Sequence, residues 1–169
     1  MSSLTTFSPG FDAWARLAGY FVDKQSPGIE VANSGGEIRF EISQDNESFS
    51  LTRGERGEDA RFVLSSGSIE HIEKYLTVEL AAEIRDKRDF PQLDIPWHLE
   101  DVADGYVIER LSESQLVLRD RHGASVVFFD HGTPHPIVEF SHYASASLDT
   151  IRAACLCADG KPLFDAASR

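Results

Sequence analysis

Apolar and polar positions along this 169-residue chain follow two periods, and the switches between them divide it into segments. Phe11, Trp14, Ala15 and Ala18 recur at i, i+3, i+4 and i+7, the row that one face of a helix buries. Ser8 and Pro9 stand in front as cap and first turn, and Gly19 stands behind as the stop. Tyr20-Phe21-Val22 predicts a short strand, and Gln25 to Gly36, with Ser26-Pro27-Gly28 and Asn33-Ser34-Gly35-Gly36, reads as loop and turn. The period then becomes two. Ile38, Phe40 and Ile42 alternate with Arg39 and Glu41, and Phe49 and Leu51 alternate with Ser48, Ser50 and Thr52. Phe62-Val63-Leu64 follows a charged turn from Arg53 to Asp59. Short period-two runs joined by tight turns predict an antiparallel meander.

Helical spacing returns from Ile69 to Arg88. Ile69, Ile72, Leu76, Leu80 and Ile84 form one stripe, widened by Tyr75, with Ser68 as the candidate cap. Glu70 with Lys74 and Glu83 with Lys87 are favourable i,i+4 pairs, and Arg85, Lys87 and Arg88 suit the negative helix end. Pro91 forbids continuation. Asp89 to His98 holds two prolines and two large aromatics, Phe90 and Trp97, and after it the earlier pattern restarts. Ala103 to Ile108 echoes Ala18 to Val22; Leu116 and Leu118 mark a strand, Asp120 to Gly123 a hairpin turn, and Val126 to Phe129 a buried strand. Pro136 to Tyr143 has helical spacing, a short helix runs from Ser147 to Ala154, and Leu163 and Phe164 tuck the tail back. The expectation is one α+β domain over residues 1–169, with antiparallel sheets and three to four helices. Two pseudo-repeated strands-then-helix halves, approximately 8–88 and 99–164, are joined by 89–98.

Charge narrows the partners. Sixteen basic against 28 acidic residues leave a formal net charge of −12 at pH 7. Such an excess argues against nucleic acid, whose backbone needs a basic face, and against an anionic membrane surface. A basic protein partner fits better, because opposite fields steer association. The first residues show no basic-then-apolar secretory pattern and no apolar run approaches a membrane span, so the cytoplasm is expected.

The usual catalytic and cofactor motifs are missing from the sequence: no nucleophile elbow, Walker A, dinucleotide fingerprint or His-Glu-x-x-His. Cys155-x-Cys157 lacks a second pair; on a strand both thiols would share one face, and buried structural cysteines are expected. His122, His131, His135 and His142 cluster, and His131-x-x-x-His135 has a metal-site spacing, but Gly132, Thr133 and Pro134 put it in a turn. Carboxylate pairs are inevitable among so many acids. No catalytic residue, cofactor site or metal ligand set is therefore assigned, and a binding protein is favoured over an enzyme. The alternative is a small metal-binding protein or enzyme using the His131/His135/His142 region.

Several strings carry a resemblance. Trp14-Ala15-Arg16-x-Ala18-Gly19-Tyr20, Phe49-x-Leu51-Thr52-Arg53-x-x-Arg56-Gly57-Glu58 and Ile72-Glu73-x-Tyr75-Leu76 lie in the first half. Gly105-Tyr106, Leu118-x-Asp120, Glu139-Phe140-Ser141-His142-Tyr143 and Asp159-Gly160-Lys161-Pro162-Leu163-Phe164 lie in the second. Together they resemble the TNT-antitoxin immunity-protein family of bacterial polymorphic toxin systems. The resemblance implies a protein that does no chemistry. It binds a nicotinamide-releasing NAD glycohydrolase toxin one-to-one and occupies its NAD cleft. An acidic inhibitor suits a cleft built for a pyrophosphate.

A steric plug needs a stiff exposed projection with little entropy to lose. Asp89 to His98 is the first candidate: Pro91 and Pro96 limit its freedom, Phe90 and Trp97 are hot-spot types, and Asp89, Gln92 and Asp94 add polar reach. Packing of Phe90 and Trp97 onto the core is the competing expectation. The turn bearing Glu55, Arg56, Glu58 and Asp59 is the second candidate, against a plain solvated hairpin end. Trp14, Gly19, Tyr20, Tyr75, Leu76, Tyr143 and Phe164 read as core.

Overall fold

The computed structural model describes residues 6–24, 28–130, 132 and 135–168. Helix α1 (Phe11–Ala18) is followed by five strands: β1 (Tyr20–Asp23), β2 (Ile29–Asn33), β3 (Ile38–Asp45), β4 (Ser48–Glu55) and β5 (Arg61–Ser66). Helix α2 (Ile69–Lys87) leads through β6 (Leu93–Asp94) to β7 (Tyr106–Ser112), β8 (Gln115–Asp120) and β9 (Ser125–Phe129). Helices α3 (Pro136–Ser141) and α4 (Leu148–Leu156) and the short β10 (Asp165–Ala166) complete the chain.

Eight strands form one sheet in the order β1-β2-β3-β4-β5-β9-β8-β7, and β6 pairs with β10 in a second. Every pairing is antiparallel, and the two meanders meet through their last strands, β5 and β9. The period of two explains the layers. Val31, Phe40, Ile42, Leu51, Leu64, Leu118, Val126 and Phe128 are buried with the helices, while Phe21 and Val107 stand on exposed positions. One core cluster runs from Phe7 to Phe164 and takes in Trp14, Tyr20, Tyr75, Leu76 and Tyr143. No helix among the described residues is long and apolar enough to cross a membrane.

Gly19 ends α1 in the left-handed region at φ 89°, a conformation that lacks a Cβ penalty only for glycine, and its N–H closes onto the helix carbonyls. Trp14 donates its indole N–H to the Thr77 carbonyl at 3.0 Å and locks α1 to α2. The stripe Ile72, Leu76, Leu80 and Ile84 is buried, but α2 also buries Glu73, Lys74 and Arg85, so it is enclosed beyond its apolar face. Each buried charge is satisfied. Glu73 accepts from the Ser8 N–H at 2.7 Å, from the Ser8 hydroxyl and from Arg152 at 2.8 Å; Lys74 donates to the Ala144 carbonyl at 2.8 Å and pairs with Glu70 at 2.9 Å.

Several details differ from the sequence expectation. Ser8 does not cap α1; its hydroxyl donates to Glu73 and accepts from Arg152, and Gly10 is the N-cap. Ser68 stands at the start of α2 without a capping side-chain bond. Residues 29–33, read as loop, form β2, because Ile29 and Val31 pair in register with Ile42 and Phe40 and share their buried face. The turn signal at Gln25, Ser26 and Pro27 lies outside the described residues. Lys87 reaches the Leu17 carbonyl at 3.3 Å, tying α2 to α1. Cys155 and Cys157 sit at the end of α4, not on a strand: Cys155 is buried and Cys157 is exposed, because the chain leaves helical geometry between them.

Candidate functional site

Residues 89–98 form a strap laid over α2 and α3, and Arg85 organises it. The Arg85 side chain is fully buried; its Nε donates to the Pro91 carbonyl at 2.7 Å. Nη1 donates to Cys155 and Cys157 oxygens at 2.8 and 2.7 Å, and Nη2 to Ala158 at 2.8 Å. One guanidinium thus closes the carbonyl end of α4 and fixes the start of the strap. Phe90 packs against that guanidinium at 5.6 Å, and its N–H returns to the Arg85 carbonyl at 2.9 Å. Farther along, β6 pairs with β10, the Ala167 N–H donates to Gln92 at 2.8 Å, and Gln92 Nε2 donates to the Ala82 carbonyl at 3.2 Å. Trp97 stacks on His98 at 3.7 Å, and its carbonyl accepts from the His135 N–H at 3.3 Å. Phe90 and Trp97 are half-buried, in line with the competing expectation that they pack, while Gln92, Asp94, Pro96 and His98 stay exposed along the strap.

Between strap and helices lies a cleft of about 300 Å³. Tyr75, Val78, Glu79 and Ala82 of α2 make one wall, Glu139 of α3 and Tyr143 another, and Gln92, Leu93, Asp94, Ile95 and Trp97 the third. Burial pushes the Glu79 carboxyl up, against the opposing pull of Arg53, 3.4 Å away. Burial, and then repulsion from Glu79, raises Glu139 to about 7. Tyr75 and Tyr143 are raised by burial and stay neutral phenols. The cleft therefore holds two carboxylates from different helices against aromatic rings.

The second candidate region joins this cleft through one residue. Arg53 lies opposite Phe40 in the β3–β4 ladder, 5.8 Å from its ring, and bridges Glu55 at 3.0 Å to Glu79 at 3.4 Å. Glu55 is thereby connected to the cleft rim, with Arg61 at 3.9 Å from it. Arg56 turns the other way, to Glu37 at 3.8 Å and the Gly35 carbonyl at 3.5 Å. Glu58 and Asp59 stand exposed in the turn, and Asp89 is exposed just past α2. Gln92, Asp94 and Trp97 thus share the cleft, Glu55 adjoins it, and Phe90 and Arg56 are occupied elsewhere. Glu79 and Glu139 escaped the sequence reading. The signal lay in a second row on α2, residues 75, 78, 79 and 82, which repeats i, i+3, i+4, i+7 with an acid in an otherwise apolar set.

Among the described residues, no group of three or more His, Cys, Asp or Glu side chains could hold a metal ion. His131 lies outside the described residues. His135 is buried with Asp130 3.6 Å away, and His142 Nε2 is 2.8 Å from the Asp101 carbonyl oxygen, at the other end of α3. Burial pushes the Cys155 thiol up to about 12, and Cys157 donates to Asp159 at 3.0 Å, so neither is poised as a thiolate.

Residues 14–163 match the family Immunity protein 61, and the chain belongs to that family. It is 27% identical over 158 residues to the immunity factor for TNT of Mycobacterium tuberculosis (strain ATCC 25618 / H37Rv), covering 89% of this chain and 88% of the relative. The immunity factor for TNT homolog of Mycobacterium bovis (strain BCG / Pasteur 1173P2) matches equally. A solved structure described as Rv3902c from M. tuberculosis superposes with a TM-score of 0.85 at 25% identity, over 98% of both chains.

Proposed function

We propose that this chain is an antitoxin that binds a cognate NAD-hydrolysing toxin one-to-one, in the cytoplasm of the cell that makes the toxin, and fills the toxin's NAD cleft without doing chemistry itself. The observation that carries this reading is family membership over residues 14–163, joined to a relative, matched over 88% of its length, named as the immunity factor for TNT. The net charge of −12 supports the mode of action. A pocket that takes a dinucleotide pyrophosphate presents positive potential, and an opposite field both steers encounter and rejects acidic competitors.

The docking face in this reading is the strap with the neighbouring hairpin: Asp89, Phe90, Gln92, Asp94 and Trp97, with Glu55, Arg56, Glu58 and Asp59. The β6–β10 pairing and the Arg85 bonds support it, because a strap ordered before contact loses less entropy on docking. The test is to mix the chain with its cognate NAD-hydrolysing toxin domain and follow NAD. Loss of NAD stops at one equivalent of the chain; undiminished loss in the presence of excess overturns the proposal.

A further inference from the structure

We infer that the cleft between α2, α3 and the strap is a socket for one cationic side chain, a lysine or arginine, carried by the toxin. The inference rests on the reading that a toxin is the partner, and names the chemistry of a single contact. Three observations point to a cation. Glu79 and Glu139 come from different helices and open into the same 300 Å³ recess. Arg53, 3.4 Å from Glu79, is already shared with Glu55, and the charge acting on Glu139 is the repulsive one of Glu79. A positive group entering the recess relieves that repulsion and gains both carboxylates at once.

The remaining lining fits a long basic side chain. Val78, Ala82, Leu93 and Ile95 offer an apolar path for an alkyl stem, and Trp97, Tyr75 and Tyr143 supply aromatic rings near a cationic head. Arg85 also lines the recess, but its guanidinium is committed to the Pro91, Cys155, Cys157 and Ala158 carbonyls. The cavity therefore combines volume, apolar wall, aromatic wall and paired negative charge.

The proton inventory follows. Facing the pair are Tyr75 and Arg85 from α2, Tyr143 beyond α3, Asp94 from the strap, Arg53 from β4 and Arg61 from β5. The tyrosines remain neutral; burial raises both acids, and Glu139 is carried to about 7. A cation favours its ionised form and expels its proton. Affinity accordingly weakens as pH falls below about 7, by at most about tenfold per pH unit.

Calorimetric titration of the full chain with the toxin domain, in two buffers of different ionisation enthalpy, tests this. The wild type is expected to release up to one proton near pH 6.5 and none near pH 8.5. Glu79→Gln and Glu139→Gln each weaken binding at least about tenfold at high pH, while Glu113→Gln, at an exposed turn remote from the cleft, binds like wild type. Circular dichroism verifies that the variants are folded. If both glutamine variants bind within about twofold of wild type, or the wild type exchanges no proton, the socket is wrong. Failure of the wild type to bind the toxin at all removes the underlying reading instead, and the socket with it.

Discussion

Replacing Arg85 with methionine keeps the stem and removes the guanidinium on which the strap and the end of α4 converge. Four carbonyls, of Pro91, Cys155, Cys157 and Ala158, lose a charged donor at 2.7 to 2.8 Å. A hydrogen bond to a charged group contributes about 1.5–3 kcal/mol, but the four share one side chain and are not additive. Cys157 and Ala158 are exposed, so water replaces part of the loss there. Against this stands the relief of a buried charge, and the methionine refills most of the volume. The balance is about 3–5 kcal/mol of destabilisation, the scale of breaking a buried ionic network. For a domain of this size each kcal/mol moves Tm by about 2–4 °C, so a fall of about 6–20 °C is expected in a thermal melt followed by circular dichroism. Arg85→Lys retains charge but not the fork and is expected to recover less than half of the loss. A drop below about 3 °C for the methionine variant would refute the view that this guanidinium organises the strap.

Other consequences are as direct. Because Glu139 is raised to about 7 from an ordinary 4.5, the folded state binds its proton more tightly than the unfolded state does. Its contribution to stability is fully present at acid pH and is lost as pH rises from about 4.5 through about 7. Glu139→Gln is therefore expected to leave Tm unchanged near pH 4 and to raise it near pH 8 by about 2–8 °C, equivalent to about 1–2 kcal/mol after allowance for solvent screening; an unchanged Tm near pH 8 would contradict this. Glu73→Gln leaves Arg152 without its buried counter-charge, and a loss of about 3 kcal/mol in urea unfolding is expected; a neutral result would place this pair among those that do not matter. The association rate with the toxin falls steeply between low and physiological salt, measured by stopped flow, and a salt-independent rate would remove the net charge from the mechanism. Alkylation reaches Cys157 in the native state and Cys155 only after unfolding; equal labelling would show an opened α4 end.

The layers of the fold were legible because their periods are clean. The α2 stripe and the strands around Phe40, Leu51, Leu64 and Phe128 each bury the residues that period marks. Strand β2 was not, since Ile29 and Val31 give only two apolar positions among glycine and asparagine turns, and their strand is made by the partner ladder of β3. The Ser8 cap failed for a similar reason: a hydroxyl offered a buried carboxylate and an arginine takes the tertiary partners over its own helix. The strap was located by its prolines and aromatics, yet its attachment to β10 joins residues about seventy positions apart and leaves no local mark. The carboxylate pair of the cleft was hidden among 28 acids, because its meaning comes from tertiary packing that brings Glu139 of α3 into one cavity with Glu79 of α2.

Occupation of the NAD cleft is the central claim, and competition tests it most directly. The rate of complex formation between the chain and the toxin domain is measured at rising concentrations of a non-hydrolysable NAD analogue. If the chain fills the substrate site, the rate falls hyperbolically toward zero, with a midpoint at the analogue's own dissociation constant. A rate indifferent to saturating analogue places the contact elsewhere and contradicts the account.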